Sequence, residues 1–181
     1  MKRHASAWLI GILMAGVAVA FPTNPAPLGA RLKLRWDEKT ITVFDGRQKH
    51  VIELGDNVHA YVLGSVKLQS AKEKDGFIYL LFDVKGPSRA RRAVASGYCG
   101  AGEESNLIWV KLQLDWGFKK AQSFLYESCL ESLEISDGPA WDGTTLEVRS
   151  TDYHKNIDNV ARYSLKQPED GLQIVSGPIK N

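Results

Sequence analysis

The sequence has almost no excess of charge of either sign. Its 181 residues include 23 Lys and Arg against 21 Asp and Glu, a formal net charge of +2. Lys2 and Arg3 account for that difference, and residues 21–181 contain equal numbers of basic and acidic side chains. A neutral chain of mixed charges has no long-range field that would attract nucleic acid or an anionic membrane. The composition therefore argues against a polyanion-binding protein.

Motifs of nucleotide binding and hydrolysis are also lacking. Neither G-x-G-x-x-G nor G-x-S-x-G occurs, and Gly97 to Gly102 is followed by a strand pattern rather than a helix. His50 and His59 match no zinc motif in their spacing. If the segment that contains them is extended, Asp152 and His154 lie on the same face. That arrangement would supply half of an acid/base pair. We therefore predict no cofactor and no metal site.

The N-terminus has the organisation of a secretory signal. A basic start precedes an uncharged apolar stretch from Ala7 to Ala20, whose last three residues follow the small-x-small pattern of signal peptidase sites. An uncleaved anchor is the alternative, but the stretch is shorter than the ~20 residues of a comfortable span. We expect cleavage before Phe21, an extended Pro-rich leader over residues 21–30, no remaining membrane span, and a periplasmic or secreted protein.

Cysteine is scarce as well, since Cys99 and Cys129 are the only two. They form no Cys-x-x-Cys redox motif, and they are too few for a structural zinc site. An even number of cysteines in an exported chain predicts an intramolecular disulfide, Cys99–Cys129. Two buried free thiols are the alternative.

Short runs with strand periodicity predict that residues 31–181 form a single all-β domain, an antiparallel β-sandwich or barrel. Asp45-Gly46 separates two such runs, which is typical of a hairpin. The run from Phe77 to Val84 is nearly all apolar, as expected of a central strand covered on both faces. The predicted strands are 40–44, 50–54, 65–69, 77–84, 107–114, 133–135, 144–149, 160–165 and 172–175.

The span from Ala121 to Ile135 is ambiguous. Its alternation fits a strand, with Leu125 and Cys129 on one face, whereas a helix through residues 119–128 is the alternative. We interpret it as a strand.

The segment 86–106 has the most unusual composition, GPSRARRAVASGYCGAGEESN. We expect a long ordered loop between two strong strands, and such loops on rigid β scaffolds commonly carry recognition. Arginine pairs bidentately with carboxylates, and tyrosine buries a large area at low entropic cost. The alternative is a solvated connection whose charges pair with one another. The candidate binding residues are Arg89, Arg91, Arg92, Tyr98, Glu103 and Glu104, with both glutamates expected in a glycine-rich turn.

Ser96-Gly97-Tyr98 in this segment resembles the Ser-Gly…Tyr loop of small periplasmic lysozyme inhibitors. Those proteins are exported, all-β, and insert a loop into the cleft of the enzyme. The resemblance covers three residues, and it implies that a loop rich in Arg, Ser and Tyr beside a disulfide suits an enzyme cleft rich in carboxylates.

We therefore predict an exported, non-catalytic binding protein that docks on a protein partner in the cell envelope through the 86–106 loop. It would be an inhibitor or immunity-type protein of an envelope enzyme. One alternative is a hydrolase of envelope polymers, with acids and His154 in a cleft. Another is a carbohydrate- or lipid-binding β module; Trp116 and Trp141 on one flat face would favour sugars.

Overall fold

The computed structural model describes residues 27–88 and 102–179, which are almost entirely antiparallel β-structure. The strands are β1 Leu32–Asp37, β2 Thr40–Asp45, β3 Gln48–Glu53, β4 Ser65–Lys74, β5 Phe77–Pro87, β6 Glu103–Gln113, β7 Phe118–Ser128, β8 Leu133–Asp142, β9 Thr145–Asp152, β10 Ile157–Ser164 and β11 Gln173–Pro178. A four-residue helix, α1 (Leu28–Arg31), precedes them, and 3₁₀ turns occupy Gly55–Asn57 and Pro168–Asp170.

The described strands form two sheets, and neither closes into a barrel. One sheet has the order β1-β2-β3 and the other the order β11-β10-β9-β8-β7-β6-β5-β4. Within each sheet, strands that follow one another in the chain are neighbours, and tight turns join several of these pairs. Asp75 and Gly76, for example, both adopt the positive φ of a tight hairpin turn and place Lys74 opposite Phe77. The all-β prediction is thus confirmed, and the barrel alternative is wrong.

Strands β5 and β6 form a central layer that is buried on both faces. One face packs on the three-stranded sheet in what we call the N-terminal core, and the other faces β9 and β10 in the C-terminal core. The N-terminal core includes Ile41, Val43, Ile52, Ile78, Leu80, Phe82, Val84, Ile108, Val110 and Leu112. The C-terminal core includes Tyr79, Leu81, Leu107, Trp109, Phe124, Tyr126, Leu146, Val148, Ala161 and Tyr163. Successive side chains alternate between the two cores, which confirms the prediction of a doubly covered strand from Phe77 to Val84.

The eight-stranded sheet is nearly divided between β7 and β8. These strands pair at one position only, Ser128 opposite Leu133. The sheet can therefore turn at this point, so that β9 and β10 cover the face of the central layer opposite the three-stranded sheet. The ambiguous span after Ala121 is strand up to Ser128, which confirms the strand interpretation over the helix.

Regular secondary structure begins earlier in the chain than the sequence predicts. Leu28 was expected in an extended leader, but it starts α1 and is buried in the N-terminal core, where α1 packs beside β4. Strand β1 was not predicted, although its apolar residues Leu32, Leu34 and Trp36 alternate with charged ones. The signal and the rest of the leader lie outside the described residues.

Candidate functional site

The two strands that lead into and out of the predicted binding loop are paired to their ends. Pro87 lies opposite Glu103, and beyond that pair the backbone N–H of Ser88 donates to the carbonyl of Gly102 at 2.9 Å. The predicted loop of residues 86–106 is therefore shorter, since its first two and last four residues are strand. Five predicted residues lie outside the described part of the chain: Arg89, Arg91, Arg92, Tyr98 and Cys99.

Glu103 and Glu104 lie in β6 rather than in a glycine-rich turn. Because neighbouring strand residues point to opposite faces, their environments differ. The Glu103 side chain is 49% exposed and accepts a hydrogen bond from Lys85 Nζ at 3.2 Å. Glu104 is 1% exposed and accepts one from Ser88 Oγ at 2.5 Å. Only Glu103 is therefore available to a partner, and Glu104 has a structural role.

The segment between the 3₁₀ turn at Gly55–Asn57 and β4 packs alongside the end of β5. Its backbone N–H groups at Tyr61 and Gly64 donate to the carbonyls of Pro87 and Lys85, at 3.0 and 2.8 Å. Gly86 makes this approach possible, because a Cβ there would overlap the carbonyl oxygen of Val62. The start of the predicted loop is thus a rigid strand end.

A cleft of 660 Å³ opens beside this strand end, where β7 and β8 diverge. One wall of the cleft is formed by the start of β6 and the end of β7, and the other by the start of β8 and the β9–β10 turn. The lining as a whole is mainly acidic and polar, with an apolar part on β8 and the turn. Its residues are Gly102, Glu103, Glu127, Ser128, Cys129, Ser132, Leu133, Glu134, Ile135, Tyr153 and His154.

Among the described residues, Lys85 is the cation that pairs with the acidic wall. Its ammonium lies 3.2 Å from Glu103 and 3.7 Å from Glu127. Burial acts to lower the pKa of Lys85, but the hydrogen bond to Glu103 and the charges of both glutamates outweigh it and raise that pKa. Glu127 also accepts a hydrogen bond from Ser105 Oγ at 2.7 Å. These contacts fix the carboxylates of Glu103 and Glu127 in position.

Tyr126 and Asp83 form a second polar contact just inside this wall. The buried Tyr126 hydroxyl donates to Asp83 Oδ1 at 2.6 Å. Burial raises the pKa of Tyr126 far above its ordinary value of 10.0, and the hydrogen bond to Asp83 raises it further. Tyr126 is therefore a neutral donor at every physiological pH.

Asp152 and His154 do not share the face of an extended segment. Residues 153–156 form a turn rather than an extended strand, and Asp152 instead accepts hydrogen bonds from Lys155, at 3.0 Å from N and 2.8 Å from Nζ. The hydrogen bond from the Lys155 ammonium lowers the pKa of Asp152. His154 lines the cleft with three glutamates, but no carboxylate of the described residues hydrogen-bonds or forms an ion pair with its ring. The cleft therefore brings acids and a histidine together without a formed acid/base pair.

The other two histidines of the described residues contact neutral side chains. His50 stacks on Trp116, with ring centroids 4.1 Å apart, and His59 Nδ1 lies 3.3 Å from the amide nitrogen of the buried Asn106. Within the described ranges, no group of three or more His, Cys, Asp or Glu side chains is arranged to hold a metal ion.

The two candidate sugar-binding tryptophans lie on different layers. Trp116 packs against the N-terminal core, whereas Trp141 of β8 contacts Tyr163 of the C-terminal core edge to face. Trp109 is buried, and its indole N–H donates to the carbonyl of Pro168 at 2.9 Å. The flat aromatic face that would favour a sugar module is therefore not formed by Trp116 and Trp141.

Sequence reasoning singled out Glu103 and His154 but missed Glu127 and Glu134, which line the same cleft. Glu127 and Glu134 gave no signal in the sequence, because only the divergence of β7 from β8 brings them to one cleft.

Comparison with known proteins finds no matching family, no similar curated protein and no similar solved structure. Along residues 27–88 and 102–179, no helix is long and apolar enough to cross a bilayer.

Proposed function

We propose that this chain is an exported, non-catalytic binding protein that recognises a protein partner in the cell envelope. Its binding surface is the segment 89–101 together with the cleft beside it. The partner is an envelope enzyme, which the chain inhibits or to which it confers immunity. This proposal extends the prediction from the sequence by adding the cleft.

The observation that carries the proposal is the anchoring of the segment. It is flanked by Ser88 and Gly102, which are hydrogen-bonded to each other and adjoin β5 and β6, two strands that are paired to their ends and whose middle residues are buried on both faces. A recognition segment on such a scaffold has a defined origin, which reduces the entropy lost when it binds.

Charge gives the surface two complementary parts. Arg89, Arg91 and Arg92 suit carboxylates, which are common in the clefts of enzymes that act on polymers. The cleft presents Glu103, Glu127 and Glu134 and suits a basic side chain of the partner. Since the chain as a whole is neutral outside its first 20 residues, recognition depends on these local charges and is short-ranged.

The predicted Cys99–Cys129 bridge belongs to this proposal. Cys99 lies outside the described residues, and Cys129 lies at the cleft, with its side chain close to Gly102. A bridge would tie the segment to the end of β7 and would further restrict it.

Capture from an envelope extract with the tagged chain tests the proposal. We expect a defined enzyme to be recovered with the wild type and to be lost with the double variant Arg91→Ala/Arg92→Ala. The double variant Arg47→Ala/Lys49→Ala removes the same charge from the exposed β2–β3 hairpin and should recover the enzyme fully. The melting temperature should stay within a few degrees in both variants. Equal recovery with both would contradict the proposal.

A hydrolase is the second candidate, and the gathering of His154, Glu103, Glu127 and Glu134 in one cleft favours it. It requires the histidine to form a hydrogen bond with a carboxylate when substrate binds. Release of soluble fragments from purified cell-wall polymer, lost in His154→Ala, would establish this function. We expect no release.

A further inference from the structure

Strand β11 is an unprotected sheet edge. It ends the eight-stranded sheet, pairs with β10 on one side, and has no strand on the other side in the described part of the chain. Edge strands present unpaired N–H and C=O groups, and proteins usually protect them with charges, bulges, proline or a covering element.

The other sheet edges carry such protection. The outer strand β1 includes Lys33 and Arg35, and β3 includes Lys49 and Glu53. Strand β4 has four charged residues and a bulge, and α1 packs beside it.

β11, with the sequence QIVSGP, has no charged residue, and its register with β10 is continuous from Gln173 to Pro178. Pro178 has no backbone N–H, so a hydrogen-bond donor is missing only at the last position of β11. Two apolar residues of β11 are also exposed: the exposed fraction is 48% for Ile174 and 57% for Val175. Of the four strands that end the described sheets, it alone combines these features.

The two apolar side chains lie on opposite faces of the strand. Ile174 is opposite Ala161, a residue of the C-terminal core, so it continues the core face to the sheet edge. Val175 is opposite Val160 on the outer face. A strand added to β11 would cover apolar surface on both faces at once.

We propose that the chain forms a two-fold symmetric dimer in which β11 of one copy pairs antiparallel with β11 of a second copy. Opposite residues in such a pair share a face, so a two-fold axis through the sheet is compatible with the side-chain alternation. Because β11 carries no charge, its self-pairing brings no like charges together, whereas self-pairing of β1, β3 or β4 would. The two eight-stranded sheets then become continuous.

The proposed interface between the two β11 strands is small, because each copy contributes only six residues. Interfaces much smaller than about 1,200 Å² are typical of weak or transient association. The dimer is therefore reversible, and its fraction rises with protein concentration.

Sedimentation velocity across a concentration series tests the proposal. We expect wild type to move from the monomer mass towards twice that mass as concentration rises. Val175→Lys places like charges near each other across the two-fold axis and should remain monomeric at the same concentrations. Val51→Lys is the matched control: Val51 is 54% exposed on β3, and its substitution should leave the dimer unchanged.

Hydrogen exchange gives an independent readout. The amides of residues 173–177 should gain protection with concentration, and those of β3 should not. A wild type that stays monomeric throughout, a dimer that persists in Val175→Lys, or a dimer abolished equally by Val51→Lys overturns the proposal. A dimer without capture of an envelope enzyme would leave this inference standing and contradict only the proposed function.

Discussion

Asp83 is the residue that makes the central layer polar at one end. It interrupts the apolar run of β5, and the hydroxyl of Tyr126 at 2.6 Å supplies its closest hydrogen bond. Gln69 offers only a longer contact, at 3.4 Å. A carboxylate beside a buried tyrosine is tolerated because that hydroxyl replaces part of its hydration.

We expect Tyr126→Phe to lower the free energy of unfolding by about 1–3 kcal/mol, because the Asp83 carboxylate loses a buried hydrogen bond while the ring stays in the C-terminal core. Urea unfolding at neutral pH measures the change. Tyr153→Phe removes the same hydroxyl from a residue that is 59% exposed, and it should change stability by less than about 0.5 kcal/mol. Equal unfolding midpoints for the two variants would show that the Tyr126 hydrogen bond contributes nothing.

Among the elements, β5 and β6 flank the segment that we propose as the binding surface. Their middle residues are buried on both faces, and their ends stay paired up to Ser88 and Gly102. The segment that crosses the end of β5 depends on Gly86, where the backbones lie too close for a side chain. The stability of this strand end and the position from which the proposed binding segment starts therefore both depend on Gly86.

Gly86→Ala should destabilise the protein by about 1–3 kcal/mol, since the added methyl must displace the carbonyl of Val62. It should also increase hydrogen exchange at the amides of Tyr61 and Gly64, which donate to this end of β5. Gly138→Ala in β8 is the control, because its methyl would meet only Ile135 Cδ1 at an ordinary 3.5 Å. A thermal midpoint as high in Gly86→Ala as in the control would argue against a tight crossing.

At the scale of the whole molecule, three layers share two cores, and the junction of β7 with β8 is the weakest connection between neighbouring strands of the large sheet. A bridge between Cys99 and Cys129 would act at this junction, because Cys129 follows Ser128, the one β7 residue paired with β8. The loop it closes is about 30 residues long, which corresponds to about 3–4 kcal/mol in the chain-entropy estimate.

We therefore expect the oxidised protein to resist alkylation before reduction and to lose about 3–4 kcal/mol of unfolding free energy in the presence of reductant. Mass spectrometry after iodoacetamide treatment tests the first point, and urea unfolding with and without reductant tests the second. The stability of the double variant Cys99→Ser/Cys129→Ser should not respond to reductant. Two alkylated cysteines in unreduced, unfolded protein would contradict the prediction.

Much of the fold could be predicted because its signals are local. Asp45-Gly46 and Asp75-Gly76 mark hairpin turns, and the apolar run after Phe77 marks a doubly covered strand. Strand β1 was missed although its apolar residues alternate with charged ones from Leu32 to Asp37.

The site was predicted less well. The start of β6 was expected in a glycine-rich turn, and only pairing with β5 shows that Glu104 is an interior residue and Glu103 a surface one. No short-range pattern distinguishes these two neighbours, because their difference arises from the strand that lies opposite.

The sequence by itself determined most of the strands and several of their turns, since periodicity and turn residues act over a few positions. It also determined the near-neutral charge, which argues against a polyanion binder. Only the tertiary structure decided that Glu103, Glu127, Glu134 and His154 share one cleft and that β11 is an open edge. Both depend on contacts between residues far apart in the chain, and such contacts form only when the layers pack.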